Sequence, residues 1–283
     1  MAATIRHVLL DIEGTTCPVQ FVSEVLFPYA AEQMGTFLDS HQRDPAIADL
    51  LRQVEKAWDE DPDPAAQALR KCESTVPQKS ETLGTESGPT TAPPPQRVIP
   101  YMLWLIQVDR KLAPLKELQG LIWEEGYRSG ALHGPLYEDV PPALHRWRQE
   151  GLILSVYSSG SIRAQQLLYQ YSNAGNLRSL FNHWFDTRSG SKFEAKSYER
   201  ICEEMACACS QVLFISDSYD ELRAASAAGL AVLHSDRDPQ PSQPLHQEPL
   251  DRETIHQAAF ASIHSFASLD PRSTANQQKD KKI

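Results

Sequence analysis

Long apolar runs are missing from this 283-residue sequence, and none approaches the roughly 20 residues that a membrane-spanning helix needs. The amino-terminal stretch MAATIRHVLLD has neither the length nor the small-residue cleavage region of a signal peptide, so a cytoplasmic protein is expected. Basic clusters are scarce as well. Lysine and arginine number 27 against 37 acidic residues, giving a net charge of -10 and a pI near 5.4. That balance argues against a nucleic-acid partner and for small molecules. Cysteine is sparse: Cys17, Cys72, Cys202, Cys207 and Cys209. The last three stand as C-x4-C-x-C without the further ligands zinc would need, and free thiols in a reducing compartment are expected. No internal repeat is visible.

What is present is enough apolar residue, 41%, for a sizeable core. IRHVLLD reads as a short strand buried on both faces, as in parallel sheets covered by helices. LILSVYSSG (152–160), VLFISD (212–217) and LAVLHS (230–235) read alike, and HWFDT (183–187) is a weaker version. Helical patterns fall between them at 161–171, 193–206 and 220–229, the last closing on Gly229 as a helix cap. This alternation predicts an α/β fold, an open, mostly parallel, Rossmann-like sheet with helices on both faces. Residues 18–150 break it with helix after helix, among them VSEVLFPYAAEQMGTFL, VIPYMLWLIQVDRK and PLKELQGLIWEEGY. They predict an all-helical cap inserted after the first strand, leaving 1–17 and 151–270 as the core. Within the insertion, 73–96 holds only Val76 and Leu83 as large aliphatics and is expected to be a disordered loop. The tail at 271–283 is expected to be loose, while HQAAFASIHSFASL before it should dock on the core.

The chemistry concentrates where strands end. VLLDIEGTTCP runs from buried aliphatics straight onto Asp11, with Glu13 close behind, and an unpaired carboxylate beside a core is costly. Ser158 and Ser159 end the second main strand and Asp217 ends the next, while Lys192 follows the weaker one in DTRSGSK. In a parallel sheet these ends share one edge. Three acids gathered there would repel one another, and a divalent cation removes the repulsion. Oxygen donors without a histidine or cysteine set describe Mg2+ rather than zinc. The hydroxyls and N–H groups of SSGS suit phosphate oxygens, and Lys192 adds positive charge. Each residue also has a plain reading: Asp11 as turn chemistry, Ser158 to Ser161 and Asp217 as helix caps, Lys192 as a surface lysine. Their common position at strand ends is what favours a site.

The run D-I-E-G-T-T at 11–16, YSSGS at 157–161, Lys192, and FISD with Glu221 together resemble the haloacid dehalogenase superfamily of phosphohydrolases. DIEGTTCPVQFVSEVLFPY, with DRK, LQG and W within 109–123, is similar to its enolase-phosphatase (acireductone synthase) branch. Cys17 stands where that branch commonly has a third threonine. The resemblance implies that Asp11 is the nucleophile on phosphorus and that one Mg2+ per chain sits on Asp11, the Glu13 carbonyl and Asp217. Ser158, Ser159 and Lys192 would bind phosphate. Glu13, where most relatives have aspartate, would handle protons. The implied reaction converts 2,3-diketo-5-methylthiopentyl-1-phosphate to 1,2-dihydroxy-3-keto-5-methylthiopentene and phosphate in methionine salvage. Separately, a monomer is expected. Phe21, Val25, Leu26, Trp104 and Trp123 could line a pocket for the methylthio tail, although ordinary cap core is the plainer reading. A phosphatase for another ester, a dehalogenase and a catalytically silent binding module stand as the alternatives.

Overall fold

Why aliphatic runs of four to six residues suffice as strands is evident in the computed structural model, which describes residues 4–74, 95–237 and 260–273. Val8, Leu9 and Leu10 of β1 (His7–Leu10) are fully buried, and β4 (Val212–Ser216) is buried at every position. Both strands lie mid-sheet with both faces covered. The other strands are β2 (Ile153–Tyr157), β3 (Phe181–Phe185), β5 (Ala231–Ser235) and β6 (Ser262–Ile263). Their order is β3-β2-β1-β4-β5-β6 and every pairing is parallel, with Leu10 level with Val156 on one side and Ile215 on the other. The chain moves outward from β1 through β2 to β3, then returns to β1's other side with β4. That reversal opens a crevice beyond the carboxyl ends of β1 and β4, the place where such sheets bind ligands.

Contacts divide the chain into two compact units, Met1–Phe21 with His133–Ile283, and Val22–Leu132. The expected insertion ran from 18 to 150. Residues 133–150, including α6 (Val140–Gln149), group instead with the sheet, because Val140, Leu144 and Trp147 bury their apolar faces there. The sheet unit also holds α7 (Ile162–Gln170), α8 (Ala195–Glu204) and α9 (Tyr219–Ala227). Tyr198 and Ile201 of α8 and Leu222 of α9 join Leu9, Phe214 and Val232 in one apolar cluster. Gly229 has φ +89° past the end of α9, as a left-handed cap requires. Sequence placed the weaker strand, 183–187, two residues late, and β6 carries too few residues for any pattern to show. Phe266, in the stretch expected to dock, is fully buried beside Trp147 at 5.2 Å between ring centres.

The second unit holds α1 (Phe27–Ser40), α2 (Pro45–Asp59), α3 (Pro64–Ser74), α4 (Pro95–Gln107) and α5 (Ala113–Ser129). A π-helical turn at Phe21–Leu26 precedes α1. Trp58 and Tyr101 stack at 5.0 Å in its core. Phe21, Leu26 and Trp123 are buried, as ordinary core would be, whereas Val25 is exposed. Residues 73, 74, 95 and 96 of the expected loop are helical, and 75–94 lie outside the described residues, as do 274–283 of the tail. Among the described residues no helix is long and apolar enough to cross a membrane.

Candidate active site

Asp11 follows β1 directly, and its N–H donates to the Ile215 carbonyl at 3.0 Å, tying the end of β1 to β4. The chain then turns sharply. Thr15, Thr16 and Cys17 all donate their N–H groups to the Ile12 carbonyl, and Gly14 adopts φ +66°. A side chain at 14 would collide with the Asp217 carboxylate, so glycine is required twice over, by backbone conformation and by close approach.

Lys192 lies 181 residues from Asp11 in sequence, yet its Nζ is 2.6 Å from Asp11 Oδ1 and 2.7 Å from Glu221 Oε2. Its side chain is only 7% exposed, which rules out the solvated-lysine reading. Tyr198 helps to place it by donating its hydroxyl to the Lys192 carbonyl at 2.8 Å. Burial works against the ammonium, but Asp11 and Glu221 outweigh it and raise the Lys192 pKa. Glu221 is fixed further by the Ser216 hydroxyl at 2.8 Å. Burial, and then the charge of Asp11, push Glu221 up to about 7 against the opposing pull of Lys192.

Asp217 feels the same forces: burial first, then Asp11, with Glu13 adding to them, raise its carboxyl to about 7. Its backbone carbonyl is 3.1 Å from His234 Nε2. Cys17 reports the field of the same three acids, since burial and then Glu13, Asp11 and Asp217 all raise its thiol. It is no thiolate nucleophile. The structure therefore gathers Asp11, Lys192 and Asp217, with Glu13 within electrostatic reach. Ser158 and Ser159 stand at the same edge on the neighbouring strand. Ser158 is buried and its Oγ accepts from the Gly160 N–H at 3.2 Å, while Ser159 is exposed and Ser161 caps α7.

The buried Asp11 carboxylate and the half-buried Asp217 carboxyl, the latter driven to about 7 in part by the charge of the former, form a donor set that suits a hard cation with oxygen ligands. Among the described residues no three His, Cys, Asp or Glu side chains form a metal cage. Sequence reasoning missed Ser216, Tyr198 and His234 as supports, and saw Glu221 without its bond to Lys192. Nothing local signals these partners, because each bond joins separate elements or crosses a turn.

A family model described as haloacid dehalogenase-like hydrolase matches residues 5–229. The chain is 45% identical over 240 residues to Enolase-phosphatase E1 of Parasynechococcus marenigrum (strain WH8102), covering 85% of this chain and 92% of that one. It is 46% identical over 238 residues to Enolase-phosphatase E1 of Synechococcus sp. (strain RCC307), covering 84% and 88%. The crystal structure of the UTR4 protein from Saccharomyces cerevisiae superposes with a TM-score of 0.64 at 27% identity, over 94% of this chain and all 100% of that one. CbbY from Rhodobacter sphaeroides, at 16% identity and a TM-score of 0.50 over 96% and 100% of the two chains, shares the fold.

Proposed function

The chain belongs to the haloacid dehalogenase-like hydrolases and, within them, to the enolase-phosphatases, and from that premise we propose how its residues act on the diketone phosphate of methionine salvage. The substrate is 2,3-diketo-5-methylthiopentyl-1-phosphate. Glu13 removes a proton beside the carbonyl while Lys192 polarises the oxygen, giving an enolate phosphate whose charge the ammonium balances. An Asp11 oxygen then forms a bond to phosphorus as the phosphorus–enol oxygen bond breaks, and the departing oxygen takes a proton from Glu13. Water attacks the aspartyl-phosphate, releases inorganic phosphate and restores Asp11, and the proton it gives up neutralises the enolate. Ser158, Ser159 and Lys192 hold the phosphate oxygens through both stages. One Mg2+, held by the Asp11 carboxylate, the Glu13 backbone carbonyl and Asp217, would neutralise charge so that a carboxylate can approach a phosphate.

The observation that carries this reading is the buried Lys192, bonded to Asp11 at 2.6 Å beside a second acid, Asp217, raised to about 7. Such a cluster is costly to fold and supports a use for it. The test follows enol absorbance and inorganic phosphate together, with purified protein, the diketone phosphate and Mg2+. Asp11→Asn is expected to abolish phosphate release while circular dichroism stays unchanged, because an amide cannot attack. Full phosphate release by that variant overturns the mechanism.

A further inference from the structure

Three successive carbonyls of the turn after Asp11 are held from outside it. Gly14 O accepts from the Ser235 hydroxyl at 3.0 Å, Thr15 O from Arg237 Nε at 3.0 Å, and Thr16 O from the Tyr137 N–H at 3.1 Å. Inside the turn the N–H groups of 15, 16 and 17 already converge on Ile12 O. The outward carbonyls thus fix where the turn sits. The Thr15 hydroxyl is buried with no hydrogen-bond partner among the described residues, so its side chain adds no hydrogen bond to hold the turn.

Arg237 is built in rather than laid on. Its side chain is 4% exposed, its Nη1 bonds Asp139 Oδ2 at 2.7 Å, and its guanidinium lies 4.1 Å from the Phe266 ring centre and 4.9 Å from that of Tyr137. Asp139 Oδ2 is itself fixed by the Ser265 hydroxyl at 2.8 Å and by the Phe266 N–H. The guanidinium therefore has one orientation available, with Nε aimed at the turn. A buried arginine whose Nη2 has no hydrogen-bond partner among the described residues is a poor choice for packing alone.

We propose that Arg237, oriented by Asp139, is a positioning residue of the nucleophile turn, setting Glu13 and Gly14 relative to Asp11 and Asp217. The inference rests on the reading of Asp11 and Glu13 given above. Gly14 meets the Asp217 carboxylate with no room for a side chain, so a turn that drifts changes that approach. A misplacement near 1 Å costs on the order of a hundredfold in rate.

The test compares Arg237→Met, Arg237→Lys and Ser235→Ala with the wild type by kcat, KM, Tm and amide hydrogen exchange of the metal-free protein. Arg237→Met is expected to lower kcat about ten- to a hundredfold with KM within about threefold. Exchange at Thr15, Thr16 and Cys17 should quicken while β4 and α9 stay protected. Lysine is expected to recover part of kcat, since one ammonium reaches Thr15 O or Asp139 but not both in the fork geometry. Ser235→Ala, a milder change that keeps the tool usable if Arg237→Met fails to fold, should move the same amides and kcat in the same direction by less. Unchanged kcat in the folded variants, or exchange that quickens uniformly through the sheet unit, overturns the inference. A wild type that releases no phosphate from the diketone overturns the functional reading instead, while the exchange result still decides the role of Arg237 in holding the turn.

Discussion

At the scale of single residues, Lys192 shows how far a side chain's meaning depends on its partners. Its ammonium bridges Asp11 and Glu221, so removing it strips the positive charge from two buried acids at once as well as from the proposed phosphate site. Lys192→Met is expected to lower kcat at least a hundredfold and to reduce Tm, measured by steady-state phosphate release and thermal melting. Retained activity would leave the lysine a structural counter-ion only. Asp11 and Asp217 were legible because both end aliphatic runs that a parallel sheet brings to one edge. Lys192 was singled out by its place after the weaker strand, but its bond to Glu221 was not legible at all, since charge pairing across 29 positions leaves no mark in a single sequence. Gly14 is intermediate: a turn glycine is predictable, but the neighbour that forbids a side chain there is 203 positions away.

Among elements, the helical unit has its own buried charge. Asp61 follows α2 and accepts from the Tyr101 hydroxyl of α4 at 2.7 Å, from Arg110 at 2.6 Å and from the Asp63 N–H at 3.0 Å. Burial alone would raise its carboxyl, but these donors outweigh burial and hold it below the usual range. A carboxyl depressed in the folded state stabilises above its unfolded pKa of about 3.9 and loses that contribution as pH falls through the folded value. Wild type is therefore expected to melt lower as pH drops below about 4, and Asp61→Ala to be less sensitive over the same range. At neutral pH the variant should be about 2 to 3 kcal/mol less stable by denaturant titration, because Tyr101 loses its partner inside the core. An unchanged midpoint would show that the network contributes nothing. The strands of the sheet were readable because burial on both faces demands continuous aliphatic residues. The π-helical turn at Phe21–Leu26 was not, since its sequence carries the same apolar spacing as the helix it precedes.

For the whole molecule, the acids that make the site also strain it. Without a cation, the half-buried Asp217 carboxyl bears the repulsion of Asp11, and a Mg2+ that binds only the folded chain would add about 2.7 kcal/mol at a hundredfold excess over Kd. The melting midpoint is expected to rise by about 5 to 10 °C when Mg2+ replaces chelator, and Asp217→Asn should lose most of that rise. In chelator at pH 8, Asp217→Asn should melt no lower than wild type, since the amide escapes the repulsion. An equal Mg2+ shift in both proteins would place the cation elsewhere.

The sequence by itself determined the α/β class, the parallel strands and the helical stretch, because burial and periodicity are local consequences of residue type. It also determined which strand ends carry acid, and through resemblance the family. The tertiary structure alone decided that residues 133–150 belong with the sheet and that Lys192 is buried between two carboxylates. It alone decided that Ser235, Arg237 and Tyr137 hold the turn after Asp11. Those facts depend on which distant segments the folded chain brings within hydrogen-bonding distance, and no spacing along the chain encodes that.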